Sequence, residues 1–408
     1  MRELNDTLAV MSLEVLSALK LRTIDEPLLP NLETLHLWGV DQPFNQFIPF
    51  FLSLRVTSIS LAFDSDCPKA MVASMVSSLP TLCPHIQKIY LGSLPTDPTI
   101  TAAVSGIVLA ANLNTLQEFH VDSPLTEEAS EVVYELPSLR NLSVVIGGEA
   151  SLPSASLPNL TELLIRCDDE GGWPRLFHGA TLGKLKSVKF CARSEEIGDF
   201  LGAFERAALS SSVQNTLSEF YILGPCSWIP NYSSLLSFTQ MVDLDIVFLC
   251  HSRCSSTVDD DIVISLSRAM PKLTGLQLGY VPCGEPTSGV TVKGLVALAL
   301  HCPDLQRLCI HFQVASLSAP SASSGFGRNT EPTGSQAVCA LKKLVVGYIL
   351  VPEESALMVA LTLLQIFPRI ENIKFIVDRG WGKVKDAIRL SKRIVDCSSK
   401  QQPLTTLK

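Results

Sequence analysis

The chain has 408 residues, of which 47% are hydrophobic and 18% charged, so it carries enough apolar side chains for a folded core. Its formal net charge of −8 argues against nucleic acid or anionic lipid as the main partner, because no basic stripe offsets the repulsion. The longest uncharged apolar run, 356–367, has 12 residues, whereas a membrane-spanning helix needs roughly 20. We therefore expect neither nucleic acid nor a membrane as a partner.

The first ten residues, MRELNDTLAV, contain no basic segment followed by an apolar core, so no secretory signal is expected. A cytoplasmic or nuclear location is the resulting prediction. Twelve cysteines in a chain of this length are too dilute for a disulfide framework. Cys83 and Cys302 each lie just before a predicted strand, where a small reduced thiol packs well in a core. We predict reduced, buried cysteines.

Residues 1–29 are predicted to form an N-terminal helix and an entry segment. The apolar residues with helical spacing in this part are Leu4, Leu8, Met11, Val15 and Leu19. Leu16, Leu19 and Leu21 would also fit a degenerate strand, and the pattern leaves both readings open. Residues 30–408 are predicted to form one irregular repeat domain.

The repeat domain is built on one signature, L-x-x-L-x-L, in which the first, fourth and sixth positions are apolar. It begins at fourteen residues: Leu32, Val56, Ile86, Leu116, Leu139, Leu160, Leu185, Leu217, Met241, Leu273, Leu305, Leu341, Ile370 and Leu404. Alternating apolar residues predict a short strand at each of them. Successive starts are between 21 residues (139 to 160) and 36 residues (305 to 341) apart, so the connections vary in length.

Helical patterns occupy the longer connections and the C-terminal part: 68–78, 101–112, 126–135, 195–209, 260–270, 291–301, 353–367 and 383–395. Thr126 and Asp260 are predicted to cap two of these helices. Six strands are introduced by proline, which cannot extend a helix and marks the corner into the strand: Pro30, Pro84, Pro137, Pro158, Pro271 and Pro303. The segment 316–335 is rich in Ser, Gly and Pro and predicts a flexible loop.

These features predict an α/β leucine-rich-repeat solenoid. Each turn of chain would place its apolar side chains between neighbouring turns, because one turn cannot bury them alone. We expect a curved horseshoe with a parallel sheet on its concave side. Helices and irregular turns would lie on the convex side.

The segment 294–310, GLVALALHCPDLQRLCI, resembles the cysteine-containing leucine-rich repeat, which has a Gly-Leu helix start, a Cys-Pro corner and an L-x-x-L-x-L strand. SLPTLCPHIQKIYL and LSRAMPKLTGLQL resemble it more weakly. The proline-led segments LPNLETLHL, LPSLRNLSV and LPNLTELLI are similar to repeats of fungal F-box proteins. This resemblance covers about residues 30–408 and is to the F-box/leucine-rich-repeat family.

The resemblance implies the substrate-recognition region of a ubiquitin ligase adaptor, in which the repeats hold a protein substrate. In that family an F-box near the N-terminus binds a Skp-type linker. The Leu-Pro-x-Glu opening of an F-box is not found near the start of this sequence. A Skp-type linker is therefore expected as a partner only if an F-box lies upstream.

The residues interleaved with the apolar signature should face the concave surface, where we expect a protein partner. Aromatic and Arg side chains dominate such interfaces, and Trp38, Tyr90 and Tyr221 carry most weight. The candidate partner-binding residues are His36, Trp38, Tyr90, His120, Arg166, Lys189, Tyr221, Asp245, Arg307 and His311. Two alternative functions stay open, a GTPase-activating repeat protein acting through an exposed Arg and a small-ligand sensor.

Catalytic, cofactor-binding and metal-binding residues are not expected. Nucleophile-elbow, zinc-protease and phosphate-loop motifs are missing from the sequence, which favours a protein that is not an enzyme. Cys250, His251 and Cys254 are closely spaced, but a structural zinc site also needs a second ligand pair, and none follows nearby. The run of Asp259, Asp260 and Asp261 fits helix capping better than a calcium loop.

Overall fold

A computed structural model describes residues 3–6, 14, 17–18, 27–40, 44–110, 113–146, 156–157, 159–167, 181–192, 200–225, 230–249, 258–279, 289–318, 339–346, 351–375 and 380–400. The chain divides into two compact units, Met1–Thr216 and Leu217–Lys408. Each unit is a stack of parallel strands whose connections contain helices.

Unit 1 contains ten described strands, which are β1 (Glu3–Asp6), β2 (Thr34–Val40), β3 (Ser58–Phe63), β4 (Lys88–Gly92), β5 (Glu118–Pro124), β6 (Asn141–Ile146), β7 (Ser156–Leu157), β8 (Glu162–Cys167), β9 (Thr181–Leu182) and β10 (Ser187–Ala192). Strands β7 and β9 pair only with each other. The other eight form one parallel sheet in chain order. Sequential parallel pairing of this kind is the signature of a solenoid.

The described helices of unit 1 are α1 (Lys69–Leu82), α2 (Pro98–Leu109), α3 (Glu127–Glu135) and α4 (Phe200–Ser210). Helices α1, α2 and α3 pack side by side in chain order. The N-terminus of α2 is capped by Asp97, whose carboxylate accepts a hydrogen bond from the Thr99 backbone N–H at 2.9 Å. Thr126 caps α3 as predicted, since its hydroxyl accepts from the Ala129 N–H at 3.4 Å.

The core of unit 1 lies along an inner row of side chains in register, one from each of the strands β2 to β6, β8 and β10. The row consists of Leu35, Ile59, Ile89, Phe119, Leu142, Leu163 and Val188, each at most 1% exposed. These residues occupy the fourth position of the predicted signature. Burial of one face of every strand fixes the register, because a slip by one residue would turn the apolar set outward.

Unit 2 contains β11 (Glu219–Pro225), β12 (Asp243–Leu249), β13 (Gly275–Leu278), β14 (Arg307–Ile310), β15 (Lys343–Val346) and β16 (Asn372–Phe375). Its described helices are α5 (Asp260–Ala269), α6 (Val292–His301), α7 (Val314–Ser318), α8 (Ala356–Ile366) and α9 (Trp381–Lys400). The strands are parallel and follow chain order. Their inner row is Phe220, Leu244, Leu276, Leu308, Leu344 and Ile373, each at most 2% exposed.

The leucine-rich-repeat fold predicted from the sequence is confirmed. Thirteen of the fourteen signatures are followed by a strand that begins two residues after the first apolar position, as Thr34 follows Leu32 and Asn372 follows Ile370. The fourteenth, at Leu404, lies outside the described residues. The predicted domain boundary between residues 29 and 30 stays a prediction.

Two local predictions were wrong. Leu4 was expected in a helix, but it lies in β1, in register with Leu35 of β2, where the strand gains backbone hydrogen bonds to the sheet. Residues 316–318 were expected in the flexible loop, but they end α7, where the buried Leu317 packs into the core. Residues 319–335 of that loop lie outside the described part of the chain.

The seven cysteines whose side chains the structure describes carry free thiols, and six of them are buried. The Cys302 thiol donates to the Ser267 and Met270 carbonyl oxygens, both at 3.6 Å, at the corner between α6 and β14. Cys339 donates to the Cys302 carbonyl oxygen at 3.7 Å, so the two thiols link successive turns. Burial raises the pKa of Cys302 to about 12, which keeps it in the unreactive thiol form at neutral pH.

Helices α5 and α6 are joined by a carboxylate. Asp260, expected to cap its own helix, instead accepts three hydrogen bonds at the start of α6: from the Thr291 N–H at 2.8 Å, the Thr291 hydroxyl at 2.6 Å and the Gly294 N–H at 2.9 Å. Asp259 caps α5 by accepting from the Ile262 N–H at 2.9 Å. A Cβ on Gly294 would lie 2.6 Å from an Asp260 oxygen, so glycine is needed there.

Replacing Asp260 by alanine should lower the free energy of unfolding of unit 2 by about 2 to 3 kcal/mol, because three backbone and hydroxyl donors lose a charged acceptor at a helix N-terminus. Urea unfolding and hydrogen exchange of the α6 amides measure the loss. The matched control is Asp261→Ala, an exposed residue of the same helical turn, which should change stability by less than about 0.5 kcal/mol. Equal losses in the two variants would contradict the role of Asp260.

Candidate partner-binding face

Each sheet has an open face, formed by the side chains that alternate with the buried inner row. In unit 1 two outer rows run across the strands in register. The first contains Thr34, Ser58, Lys88, Glu118, Asn141, Glu162 and Ser187, and the second contains His36, Ser60, Tyr90, His120, Ser143, Leu164 and Lys189. The open face is therefore polar and aromatic, as the alternation of the sequence predicts.

A cleft of about 540 Å³ lies on the open face across strands β2 to β5. Its middle strand, β3, contributes only the small side chains Ser58 and Ser60 to the open face of the cleft, whereas the flanking strands contribute large ones. We call this cleft the serine trough; it is lined by Thr34, His36, Trp38, Thr57, Ser58, Ile59, Ser60, Gln87, Lys88, Ile89, Tyr90, Glu118 and His120. The trough exists because two serines lie between taller neighbours.

Two aromatic rings stand at one end of the serine trough. Trp38 on β2 and Tyr90 on β4 are 50% and 36% exposed, and their ring centroids are 5.7 Å apart with planes tilted by 47°. Strand β3 runs between them, and its Ser60 is small enough to let the rings meet. The register of β2 against β3 shifts after Leu37, and Gly39 adopts a φ of +64°, so Trp38 lies in a bulge.

Glycine also sets the position of the tyrosine ring. A Cβ on Gly92 would lie 2.9 Å from the Cε1 atom of Tyr90, two residues earlier on the same face of β4. A larger residue would push the ring away, because 2.9 Å is shorter than a van der Waals contact between carbon atoms. Gly92 therefore helps to direct Tyr90 toward Trp38.

The other wall of the trough is formed by β4 and β5. The ring of His120 lies 6.2 Å from that of Tyr90. Burial lowers the pKa of His120, against the opposing effect of the Glu118 and Glu162 carboxylates. Lys88 donates to the Glu118 carboxylate at 2.6 Å, so the formal charges of these two lining residues cancel.

Two more predicted site residues lie on the open face of unit 1. Arg166 on β8 forms an ion pair with Asp122 on β5, and Asp122 also accepts from the Ser93 N–H at 3.2 Å. Strand β6 lies between the two charged residues, so this pair also bridges one strand. Lys189 is exposed on β10. The charge of Arg166 is therefore balanced within the protein.

The four predicted residues of unit 2 form a different arrangement. The Nη2 atom of Arg307 lies 3.2 Å from Asp243 Oδ1 and 3.1 Å from Asp245 Oδ1. The ion pair between Arg307 and Asp243 reaches across β13 at Gly275. A Cβ at residue 275 would overlap the Asp243 carboxylate. Burial raises the pKa of Asp245, although Arg307 opposes the shift. Tyr221 is half-buried beside Asp245 in the same outer row.

His311 does not belong to the outer rows. It follows the last residue of β14 and is half-buried, and burial lowers the pKa of its imidazole. The prediction required a strand that continues to residue 311. Strand β14 has only four residues, so the position six beyond Leu305 falls outside the sheet.

Four of the ten predicted residues thus line one cleft, namely His36, Trp38, Tyr90 and His120. The predicted site residues do not include Ser58 or Ser60, which line the cleft between the larger side chains. The available signal was their place two and four residues after Val56, where every neighbouring strand has larger residues. Small residues between large ones predict a cleft rather than a contact.

In the part of the chain that the structure describes, neither a metal site nor a membrane-spanning helix is found. Within the described ranges, no group of three or more His, Cys, Asp or Glu side chains is arranged to bind a metal ion. Cys250, His251 and Cys254 lie outside those ranges. Of the helices with described residues, none combines the length and the apolar character that crossing a bilayer requires.

Comparison with known proteins gives similarities to solved structures. No family model and no curated protein matches the sequence. Among solved structures, the chain is similar to the crystal structure of an internalin, inlF, from Listeria monocytogenes, with 12% sequence identity and a TM-score of 0.41. The match covers 86% of this chain and 84% of that chain. The fold assignment itself rests on the register and burial of the strands.

His120 should titrate below its ordinary pKa of 6.5, because burial disfavours the charged imidazolium. Long-range ¹H–¹⁵N NMR of the imidazole nitrogens, assigned with the His120→Gln variant, measures the pKa. The pKa of His120 is lower in the folded than in the unfolded state. At pH values above the unfolded pKa the residue therefore does not lower the free energy of unfolding. Stability is lost as the pH falls through that value. A measured pKa above 6.5 would show that Glu118 and Glu162 outweigh burial.

Proposed function

We propose that this chain is a protein-interaction solenoid and that a partner binds in the serine trough of unit 1. The observation that carries the proposal is the exposed Trp38–Tyr90 pair at the end of the trough. Single exposed apolar residues are normal on protein surfaces. Two large aromatic rings in contact beside a cleft are the side chains that most often supply binding energy.

The shape of the trough indicates how the partner binds. A volume of about 540 Å³ falls within the range of roughly 300 to 1,000 Å³ that small-molecule sites occupy. A protein partner would therefore insert a short segment or several side chains rather than press a flat surface against the sheet. The same volume makes a small-ligand sensor the second candidate.

The finer proposal is the substrate-recognition region of an F-box-type ubiquitin ligase adaptor, acting in the cytoplasm or nucleus. Its support is the Cys-Pro corner before β14 and the proline-led repeats, which resemble that family. The reduced thiols of Cys302 and Cys339 fit a reducing compartment. Copurification of a Skp-type linker with the product of the complete transcript tests this assignment, and absence of the linker would leave an interaction module alone.

The GTPase-activating alternative receives less support. An arginine finger has to enter the nucleotide site of another protein as an available cation. Arg166 is paired with Asp122, and Arg307 lies between Asp243 and Asp245. Each would first have to leave its own carboxylates. A GTPase assay with and without the protein decides this alternative.

The double variant Trp38→Ala/Tyr90→Ala should weaken partner binding by about a hundredfold, because each ring is a candidate hot spot worth on the order of 1 to 2 kcal/mol. Binding is measured by affinity capture with quantitative mass spectrometry, followed by calorimetry with the recovered partner. The matched control is Lys184→Ala, an exposed residue of unit 1 that lies outside the trough. A partner that loses affinity for the control but not for the double variant would refute the trough as its site.

A further inference from the structure

We propose that the occupant of the serine trough is an uncharged, proline-rich segment of the partner, bound in the polyproline II conformation. This inference rests on the proposed function, because it names the chemistry of the segment that enters the trough. Three features of the trough lead to it: the paired backbone of its floor, the hydrogen-bond donors in its lining, and its aromatic rings.

The backbone of the trough floor is already paired. Strand β3 forms parallel ladders with β2 on one side and with β4 on the other. An incoming peptide therefore has no strand edge to pair with and is recognised by side chains alone. A peptide in the β conformation would bury N–H groups that find no carbonyl partner there, and each unpaired donor costs about 1 to 3 kcal/mol.

Several side chains of the trough can donate hydrogen bonds. The indole N–H of Trp38 can only donate, and the hydroxyls of Tyr90, Ser58 and Thr34 can donate as well. Glu118, the one carboxylate in the lining, already holds Lys88 at 2.6 Å. The lining can therefore donate hydrogen bonds to a ligand that is rich in carbonyl acceptors.

A proline-rich segment has this balance of polar groups. Proline lacks a backbone N–H, and the polyproline II helix makes no internal hydrogen bonds, so its carbonyl oxygens stay available. Its restricted φ also means that little conformational entropy is lost on binding. The flat pyrrolidine rings can lie against the exposed faces of Trp38 and Tyr90.

Charge favours an uncharged ligand. A basic segment would need the Glu118 carboxylate, and an acidic or phosphorylated one would need the Lys88 ammonium group. These two groups are bound to each other, so either ligand would have to break the pair. An uncharged segment leaves the pair intact.

The test uses the full chain and a pool of blocked, uncharged peptides with proline at most positions. About seven residues suffice, because a polyproline II helix of that length spans roughly 20 Å, which is the length of a six-residue strand such as β3. The control pool replaces every proline by alanine. Calorimetry and fluorescence anisotropy with a labelled pool measure the affinity.

The proline pool should bind at least about tenfold more tightly than the alanine pool. Trp38→Ala removes a ring, and Ser58→Leu fills the floor of the trough. Each variant should weaken peptide binding by about tenfold or more. Lys184→Ala, at an exposed residue outside the trough, should leave the affinity unchanged, and circular dichroism confirms that each variant is folded.

Equal affinity for the two pools, or binding that survives both trough variants, would overturn the inference. Such a result would leave the proposed function standing if partner capture were still lost in the Trp38→Ala/Tyr90→Ala variant. If the Trp38→Ala/Tyr90→Ala variant still binds the partner and the peptides, the proposed function and the inference are both refuted. Enrichment of charged rather than proline-rich sequences on the captured partner's footprint would also refute the inference.

Discussion

The alternation of side chains along stacked parallel strands is the constraint on which both units depend. Ile89 is buried and Tyr90 is exposed, although they are neighbours in the chain, because successive residues of a strand point to opposite faces. A slip of one residue would bury the polar rows and expose the apolar one. The inner row therefore positions every residue of the open face.

Contacts between long side chains on two strands that flank a third then determine which groups the open face exposes. Trp38 meets Tyr90 across β3, where the intervening residue is Ser60, and Arg307 meets Asp243 across β13 at Gly275. In both cases a small residue on the middle strand lets long side chains from the two outer strands touch. The identity of the small residue's neighbours decides whether the result is an aromatic surface or a closed ion pair.

The fold could be predicted because the apolar signature that causes it is a local pattern, contained within six consecutive positions of each repeat. Strand β1 was not predicted, because Asp6 stands where the signature has its third apolar residue. The strand is recognised only by its pairing with β2. The members of the open face followed from the same register, but the trough did not. Its existence depends on the absence of large side chains from β3 and on the bulge at Gly39, which no apolar pattern records.

The unequal state of the two open faces explains why binding is assigned to unit 1. A partner that recruits Arg307 must disrupt contacts with two carboxylates and regains little, since partly exposed ion pairs contribute about 0 to 1 kcal/mol. A partner that covers Trp38 or Tyr90 disrupts nothing of that kind. Burying the remaining exposed part of either ring, at about 25 cal/mol per Å², is a net gain. Binding energy is therefore available at the aromatic rings, whereas a partner of Arg307 must first break existing ion pairs.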